Sequence, residues 1–149
     1  MKIKALFAGT FDPFSIGHDA IVKRSLQFVD ELIIAIGINP GKKTLFTVDE
    51  RLDNIRNIYK SSDNILVSSY DMLTADFAIQ SGVNFIIKGI RNIIDFEYER
   101  TMSDMNRMLS GVETVFLFSE PQFASISSSL IRELIVYNKD ISNLIPVIK

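Results

Sequence analysis

The sequence predicts a doubly wound α/β fold, a single five-stranded parallel sheet with helices on both faces. Short apolar runs alternate with longer amphipathic segments, which favours strand–helix–strand crossovers between parallel strands. The run ELIIAIGI at 31–38 is almost continuously apolar, as a strand is when both faces of its sheet are covered. No internal repeat, linker or shift in composition divides the 149 residues, so we expect one domain over 1–149.

The first half of the chain alternates strands with helices. The apolar run at 3–8 predicts the first strand because Gly9 stops it, and helical spacing of apolar residues predicts a helix over 17–28. A turn at 39–43, which contains Pro and Gly, ends the second strand, 31–38. Thr47 and Glu50 have capping-box spacing and predict a helix over 47–60, and 65–68 is the third predicted strand.

The second half continues the same alternation. A helix over 72–81 is predicted to end at Gly82, and VNFIIK at 83–88 forms a fourth strand that ends at Gly89. A long helix over 95–109 precedes the fifth strand, ETVFLF at 113–118. The last helix begins near Ser127, with one of the neighbouring serines as its N-cap. This order gives a Rossmann-like sheet, in which ligands bind at the C-terminal ends of the strands.

Composition excludes several classes of protein and of site. With 47% hydrophobic and 23% charged residues, 7 Gly and 4 Pro, the chain is neither disordered nor collagen-like. It has no cysteine and one histidine, which excludes disulfides, thiolate zinc sites and multi-histidine metal sites. The net charge of −2 argues against nucleic acid as a partner. Without a signal-peptide pattern or an apolar run of ~20 residues, we expect a cytoplasmic protein with no membrane partner.

The segment from Gly9 to His18 is the first candidate phosphate site. It joins the first strand to the first helix, where Gly17 permits close approach to the free N–H groups at the helix N-terminus. His18 lies in the first turn, so its imidazole can face the same anion. The plain alternative is a glycine-containing turn with a surface histidine.

Three more clusters with cations or hydroxyls follow other strands. Lys42 and Lys43 follow the second strand, Lys88-Gly89-Ile90-Arg91 follows the fourth, and four serines lie in the segment 123–132 after the fifth. Each could be ordinary: solvated lysines, solubilising charges at a strand end, or a redundant N-cap. Together, four such features on one edge of an acidic chain favour a polyphosphate nucleotide and a second phosphorylated substrate.

The predicted long helix carries a stripe of apolar residues. Tyr98, Met102, Met105 and Leu109 follow one another at helical spacing, which predicts a core-facing stripe, with Asn106 at its edge.

These motifs resemble those of the nucleotidyltransferase superfamily. The segment ending in Gly17-His18 is similar to its [TH]xGH signature, and ISSSLIR at 126–132 is similar to ISSxxxR. A fuller set of motifs resembles the bacterial phosphopantetheine adenylyltransferases over about residues 3–146: GTFDP, the loop with Pro40 and Lys42-Lys43, Phe46-Thr47 with Glu50-Arg51, KGIR, DFEYE and MNR. DFEYE with MNR separates this family from other nucleotidyltransferases.

The resemblance implies that residues 1–149 form a nucleotidyltransferase domain that moves AMP from ATP to 4′-phosphopantetheine. The products are dephospho-coenzyme A and pyrophosphate, in coenzyme A biosynthesis. It also implies Mg²⁺ as cofactor, a homohexamer, and dephospho-coenzyme A or coenzyme A as product or feedback ligand. Because the ligand loops hold few acidic residues, we expect the ATP phosphates and not protein ligands to carry the Mg²⁺.

The resemblance also assigns roles to residues. His18 would stabilise the charge at the α-phosphorus, with Lys42 and Arg91 as further catalytic residues. Thr10 and Lys42 would contact both substrates, and Lys88 would hold the phosphate of phosphopantetheine. The implied ATP ligands are Thr10, Phe11, His18, Gly89, Ile90, Arg91, Glu99, Phe123, Ala124, Ser125, Ile126, Ser127, Ser128 and Ser129. The implied lining of the pantetheine arm is Thr74, Tyr98 and Asn106.

The chain departs from the family pattern at four positions. Ser15 replaces Thr or His, Ala8 replaces a common Pro, and Phe123 replaces the usual Trp. Lys88 stands where the family usually has Arg, which keeps the charge but loses the bidentate fork.

Three alternative functions can be weighed on the residues. A nucleotidyltransferase for nicotinate mononucleotide or a cytidylyl acceptor would share the fold, but DFEYE with MNR argues against it. A non-catalytic nucleotide-binding regulator is also possible on this fold. His18, Lys42 and Arg91 favour catalysis over that alternative, because a sensor has no need of a transition-state histidine. A flavodoxin-like module would need fewer phosphate sites than this edge offers.

Overall fold

The apolar runs form the strands at the centre of the molecule, and every neighbouring pair of strands is parallel. The computed structural model describes residues 1–148. The elements are β1 (Lys4–Gly9), α1 (Ile16–Ser25), β2 (Glu31–Gly37), α2 (Val48–Ile58), β3 (Ile65–Tyr70), α3 (Thr74–Ser81), β4 (Phe85–Ile90), α4 (Ile93–Ser110), β5 (Glu113–Phe118), a short 3₁₀ helix (Pro121–Phe123) and α5 (Ser128–Val136). The strand order β3-β2-β1-β4-β5 confirms the predicted Rossmann-like sheet.

The strands β1 to β4 contribute to a core on each face of the sheet. Side chains alternate along β1, so that Ala5 and Phe7 join one core while Leu6 and Ala8 join the other. The first core includes residues of α1 and α2, and the second includes Ala78 of α3. This double coverage explains why the strands are apolar runs with little polar alternation.

The signals predicted for helix N-termini and C-termini are present in the structure. Thr47 and Glu50 form the reciprocal capping box at the start of α2. Gly82 ends α3 in the left-handed conformation, with φ of 64°. Ser127 is the serine that caps α5, because its side chain accepts a hydrogen bond from the backbone N–H of Leu130.

Several predicted boundaries differ from the structure. β4 extends through Lys88 and Gly89 to Ile90, because β5 pairs with it as far as Ile90 and Phe118. The predicted strand, 83–88, included Lys88, but the prediction that it ends at Gly89 is wrong, and the strand begins at Phe85 instead of residue 83. α4 begins earlier than predicted, since Asn92 caps it by accepting from the N–H of Asp95. α3 begins at Thr74 instead of residue 72.

The expectation of a core-facing stripe on α4 is wrong. Tyr98 is 66% exposed and Leu109 is 51% exposed, whereas the polar Asn106 is buried. The helix is 18 residues long, and in the single chain α3, β4 and β5 cover only part of it. The spacing of apolar residues along α4 does not by itself show which face of the helix the other elements cover. Among residues 1–148, no helix combines the length and apolarity that a membrane crossing requires.

Candidate active site

The sheet opens a cleft where its strand order reverses, between β1 and β4. The β1–β2 ladder continues to Gly9, whereas the β1–β4 ladder stops at Phe7 and Ile87. Beyond that point a cleft of about 280 Å³ lies above the strand ends. This is the position at which open α/β sheets bind their ligands.

Most of the residues that the sequence indicated lie together in this cleft. From the predicted set, the lining includes Thr10, Phe11, His18, Lys42, Lys88, Gly89, Arg91, Glu99, Phe123, Ile126, Ser127, Ser128 and Ser129. The fold thus brings residues that are up to 119 positions apart, from Thr10 to Ser129, to one edge of the sheet.

The remaining predicted residues lie outside this lining. Ile90 is 2% exposed and packs in the interior, and Asn106 is also buried. The Thr74 hydroxyl is 2.8 Å from the Tyr70 hydroxyl. Ala124 and Ser125 lie between the 3₁₀ helix and α5. With the exposed Tyr98, these positions keep the status of predictions.

His18 is held by a reciprocal capping box at the start of α1. The Ser15 hydroxyl accepts from the His18 backbone N–H at 3.2 Å, and the Ser15 N–H donates to Nδ1 of His18 at 2.9 Å. Because Nδ1 accepts this hydrogen bond, the neutral imidazole carries its proton on Nε2. The side chain therefore presents an N–H donor to the cleft that His18 lines.

The environment keeps this imidazole uncharged at neutral pH. Burial, followed by the positive charges of Arg91 and Lys88, lowers the pKa of His18 to about 4. A neutral donor can bind a developing phosphate charge without first losing or gaining a proton.

We expect this partly buried imidazole to make stability depend on pH. The unfolded chain binds a proton on His18 below pH 6.5 and the native chain binds it only near 4, so the unfolding free energy falls as pH drops through this window. The loss is about 3 kcal/mol when complete. Urea unfolding of the wild type and of His18→Asn at several pH values measures it as the difference between the two curves. Parallel curves would contradict the prediction.

Three cationic side chains, those of Lys42, Lys88 and Arg91, line the same cleft. Nζ of Lys42 donates to the Thr10 hydroxyl at 3.1 Å. Nζ of Lys88 donates to the Ala8 carbonyl at 3.0 Å and lies 3.9 Å from a Glu99 carboxylate oxygen. Burial lowers the pKa of Lys88, which the carboxylate of Glu99 opposes. These lysines retain further N–H donors for an anion, since an ammonium group has three.

Arg91 is aimed by a carboxylate of the next helix. Its Nε donates to Oδ2 of Asp95 at 3.0 Å, and its backbone N–H donates to the same oxygen at 3.2 Å. Asp95 also lines the cleft. Asp95 begins the DFEYE motif, but no role in the site is predicted for it from the sequence.

Asp12 and Arg51 tie together the two loops that carry Thr10 and Lys42. The buried carboxylate of Asp12 accepts from the backbone N–H groups of Leu45 and Phe46, at 2.8 and 2.9 Å. Nη1 of Arg51 donates to the Thr10 carbonyl at 2.8 Å. Neither residue is predicted from the sequence to have a role in the site, although Asp12 belongs to GTFDP and Arg51 to another segment that resembles the family.

We expect Asp12→Ala to lower the unfolding free energy by about 3 kcal/mol, since two backbone N–H groups lose a charged acceptor that is itself buried. Asp12→Asn keeps one acceptor oxygen and is expected to lose less than half as much. Urea denaturation followed by circular dichroism measures both. Equal stability of Asp12→Ala and wild type would contradict this account of the loop.

Several hydroxyls of the serine segment are engaged within the protein. The Ser128 hydroxyl donates to the Pro13 carbonyl at 2.8 Å. Arg132 donates from Nη2 to the Ser129 hydroxyl at 3.0 Å and from Nη1 to the Asp12 carbonyl at 2.9 Å. These bonds fasten α5 to the loop after β1. The backbone N–H groups of the first turn of α5 remain suited to phosphate.

The carboxylates of the cleft already have partners. Asp12 accepts backbone N–H groups, Asp95 binds Arg91, and Glu99 faces Lys88. Within residues 1–148, no group of three or more metal-ligating side chains is placed to hold an ion. The donor set of the described residues therefore does not fit a protein-held metal.

The fold and the site define a class of protein. The cytidylyltransferase-like family model matches residues 6–134, and the chain belongs to this family of nucleotidyltransferases. A bifunctional NMN adenylyltransferase/ADP ribose pyrophosphatase from Francisella tularensis has the same fold, with a TM-score of 0.69 at 15% identity. That similarity covers 100% of this chain and 46% of the other.

Within this class the chain belongs to the phosphopantetheine adenylyltransferase family. It is 55% identical over 143 residues to the phosphopantetheine adenylyltransferase of Bacteroides thetaiotaomicron, which covers 96% of this chain and 95% of that relative. It is 51% identical over 142 residues to the corresponding protein of Porphyromonas gingivalis, which covers 95% and 93% of the two chains. The family predicted from GTFDP, KGIR, DFEYE and MNR is confirmed.

Proposed function

We propose that this chain transfers the adenylyl group of ATP to the phosphate of 4′-phosphopantetheine, forming dephospho-coenzyme A and pyrophosphate. The observation that carries the proposal is the cleft itself, where a neutral Nε2–H donor on His18 faces the cations of Lys88 and Arg91. Its relatives at 55% and 51% identity bear the name of this activity.

The reaction is a direct in-line displacement at the α-phosphorus. An oxygen of the phosphopantetheine phosphate forms the new bond while the bond to the oxygen that bridges to the β-phosphate breaks. The electron pair leaves with pyrophosphate. The attacking group is already an anion, so no general base is required. The protein brings the two anions together and stabilises developing charge, for which His18, Lys42 and Arg91 are the proposed groups.

The cleft provides places for both substrates. We assign the phosphopantetheine phosphate to Lys88, between β1 and β4, with Thr10 and Lys42 shared between the substrates. The α5 end of the cleft suits the adenine and phosphates of ATP. The proposed ATP contacts there and along β4 are Phe11, Gly89, Ile90, Arg91, Glu99 and the segment 123–129. Thr74, Tyr98 and Asn106 are the proposed lining for the pantetheine arm.

Mg²⁺ belongs to the substrate in this proposal. It enters bound to the ATP phosphates, which is consistent with the engaged carboxylates of Asp12, Asp95 and Glu99.

Pyrophosphate release from Mg-ATP tests the proposed reaction. We expect release with 4′-phosphopantetheine and none with nicotinate mononucleotide. Release with nicotinate mononucleotide instead would identify another acceptor. ATP binding without release in either case would indicate a nucleotide-binding protein that has lost catalysis.

We also propose a homohexamer in the cytoplasm, with coenzyme A or its dephospho form as product or feedback ligand. Large apolar side chains at the start of α4 and the end of β5 support assembly: Ile93, Ile94 and Phe118 are 76%, 80% and 67% exposed. Light scattering after size-exclusion chromatography tests the stoichiometry.

A further inference from the structure

Three phenylalanine rings, those of Phe7, Phe11 and Phe14, surround the imidazole of His18 and form what we call the aromatic box. The Phe11 ring meets it edge-on with a centroid distance of 5.0 Å, and the Phe14 ring lies at 5.2 Å. The Phe7 ring is 6.2 Å away. All three phenylalanines are at most 4% exposed. Their ring carbons cannot solvate a charge. Nδ1 has two polar contacts, both to Ser15: the backbone N–H donates to it at 2.9 Å, and the hydroxyl lies 3.1 Å away.

The charged groups nearby do not favour a protonated imidazole. Lys88 from β4 and Arg91, the residue just after that strand, both bring positive charge. On the same helix, Asp19 accepts from the Tyr59 hydroxyl at 2.6 Å and pairs with Lys23 at 2.7 Å. From α4, Glu99 lies 3.9 Å from Lys88.

Local backbone structure places two of these rings. Phe11 has a φ of 52°, in the left-handed region, and its ring lies over Gly9. A Cβ at Gly9 would come within 2.9 Å of that ring, so glycine leaves the space that the ring fills. Phe14 is fully buried and is backed by Tyr59, edge-on at 5.9 Å.

We propose that Phe11 and Phe14 are positioning residues that, with the backbone N–H of Ser15, hold the His18 imidazole as its Nε2–H tautomer for catalysis. The inference rests on the proposed function for its catalytic part. Protonation of Nδ1 would set an N–H against the Ser15 N–H, and a ring flip would turn the donor away from the cleft. The aromatic box opposes both changes.

A histidine titration tests the box directly, because His18 is the one histidine of the chain. We expect nitrogen-15 NMR of the wild type to show a proton on Nε2, with a midpoint below about pH 5. Phe14→Leu opens one wall and is expected to raise that midpoint by about 1 unit or more. Phe28→Leu is the matched control, since it removes the ring that stacks on Phe85 at the far end of α1.

Kinetic measurements distinguish a role in positioning the His18 imidazole from a general loss of protein stability. For Phe14→Leu we expect kcat to fall about 10-fold or more, with the acid limb of its pH profile moved to higher pH and KM for ATP little changed. Phe28→Leu should lose stability without moving that limb. If Phe14→Leu does not fold, Gly9→Ala, which displaces the Phe11 ring without removing core atoms, serves as the second variant.

The two proposals can fail separately. A wild-type midpoint near 6.5, a proton on Nδ1, or an unchanged titration in folded Phe14→Leu and Gly9→Ala would overturn the box, whatever the enzyme does. Absence of adenylyl transfer with the expected titration would overturn the proposed function and leave the box as a structural device. Without adenylyl transfer, the aromatic box would have no catalytic role.

Discussion

We expect His18→Ala to lower kcat by about 100- to 1,000-fold while the fold and ATP affinity are kept. The lost group is the Nε2–H donor, which the proposed transition state uses and the ground state needs less. The helix cap survives, because the Ser15 hydroxyl still accepts from the backbone N–H of residue 18. Pyrophosphate release measures kcat, and calorimetric titration with ATP measures binding.

A second substitution of His18 distinguishes the role of its Nε2–H donor from the role of its Nδ1 acceptor in the helix cap. The Asn oxygen in His18→Asn lies near the place of Nδ1 and can accept the Ser15 N–H, but the side chain has no group at Nε2. We therefore expect His18→Asn to be as slow as His18→Ala. Recovery of wild-type kcat in His18→Asn would show that the imidazole serves the helix cap and not the reaction.

Local signals predicted much of the fold. Thr47 and Glu50 formed the expected capping box, and Gly82 ended α3, because such motifs depend on atoms a few residues apart. The end of β4 was not predictable in this way. Gly89 is a typical strand terminator in sequence, and pairing with β5 keeps Gly89 and Ile90 in the strand.

The parts of the site that could be predicted are the side chains whose type alone indicates their chemistry. Cations, hydroxyls and a histidine after successive strands must meet at one edge of a parallel sheet, and the cleft confirms that they do. The supporting contacts were not predictable. The bond from Arg51 to the Thr10 carbonyl spans 41 positions, and nothing in the local sequence of Arg51 specifies it.

The face of α4 shows a related limit. Its apolar spacing predicted a covered stripe, and the chain leaves Tyr98 and Leu109 exposed while it buries Asn106. Helical spacing reports which residues share a face, whereas burial depends on what packs there. In the proposed assembly other copies of the chain would cover such residues, and a single sequence carries no record of that geometry.

Lys88→Met is expected to raise KM for 4′-phosphopantetheine by about 100-fold, with little change in ATP affinity. Nζ of Lys88 lies where β1 and β4 part and already donates to the Ala8 carbonyl, so its remaining donors and its charge are available to a phosphate. Methionine keeps the length and the apolar stem but removes the charge. Glu99, 3.9 Å from the ammonium group, then faces the incoming anion without its counter-charge, which adds to the loss.

Two further variants make this assignment specific. Lys88→Arg keeps the charge and adds a fork that can bind two phosphate oxygens, so we expect its KM for phosphopantetheine to equal or fall below the wild-type value. Lys60→Met is the matched control, because it removes an exposed lysine just beyond α2. Initial rates with each substrate varied in turn measure both KM values. A rise in KM for ATP, with that for phosphopantetheine unchanged, would move Lys88 to the nucleotide and reverse the proposed order of substrates along the cleft.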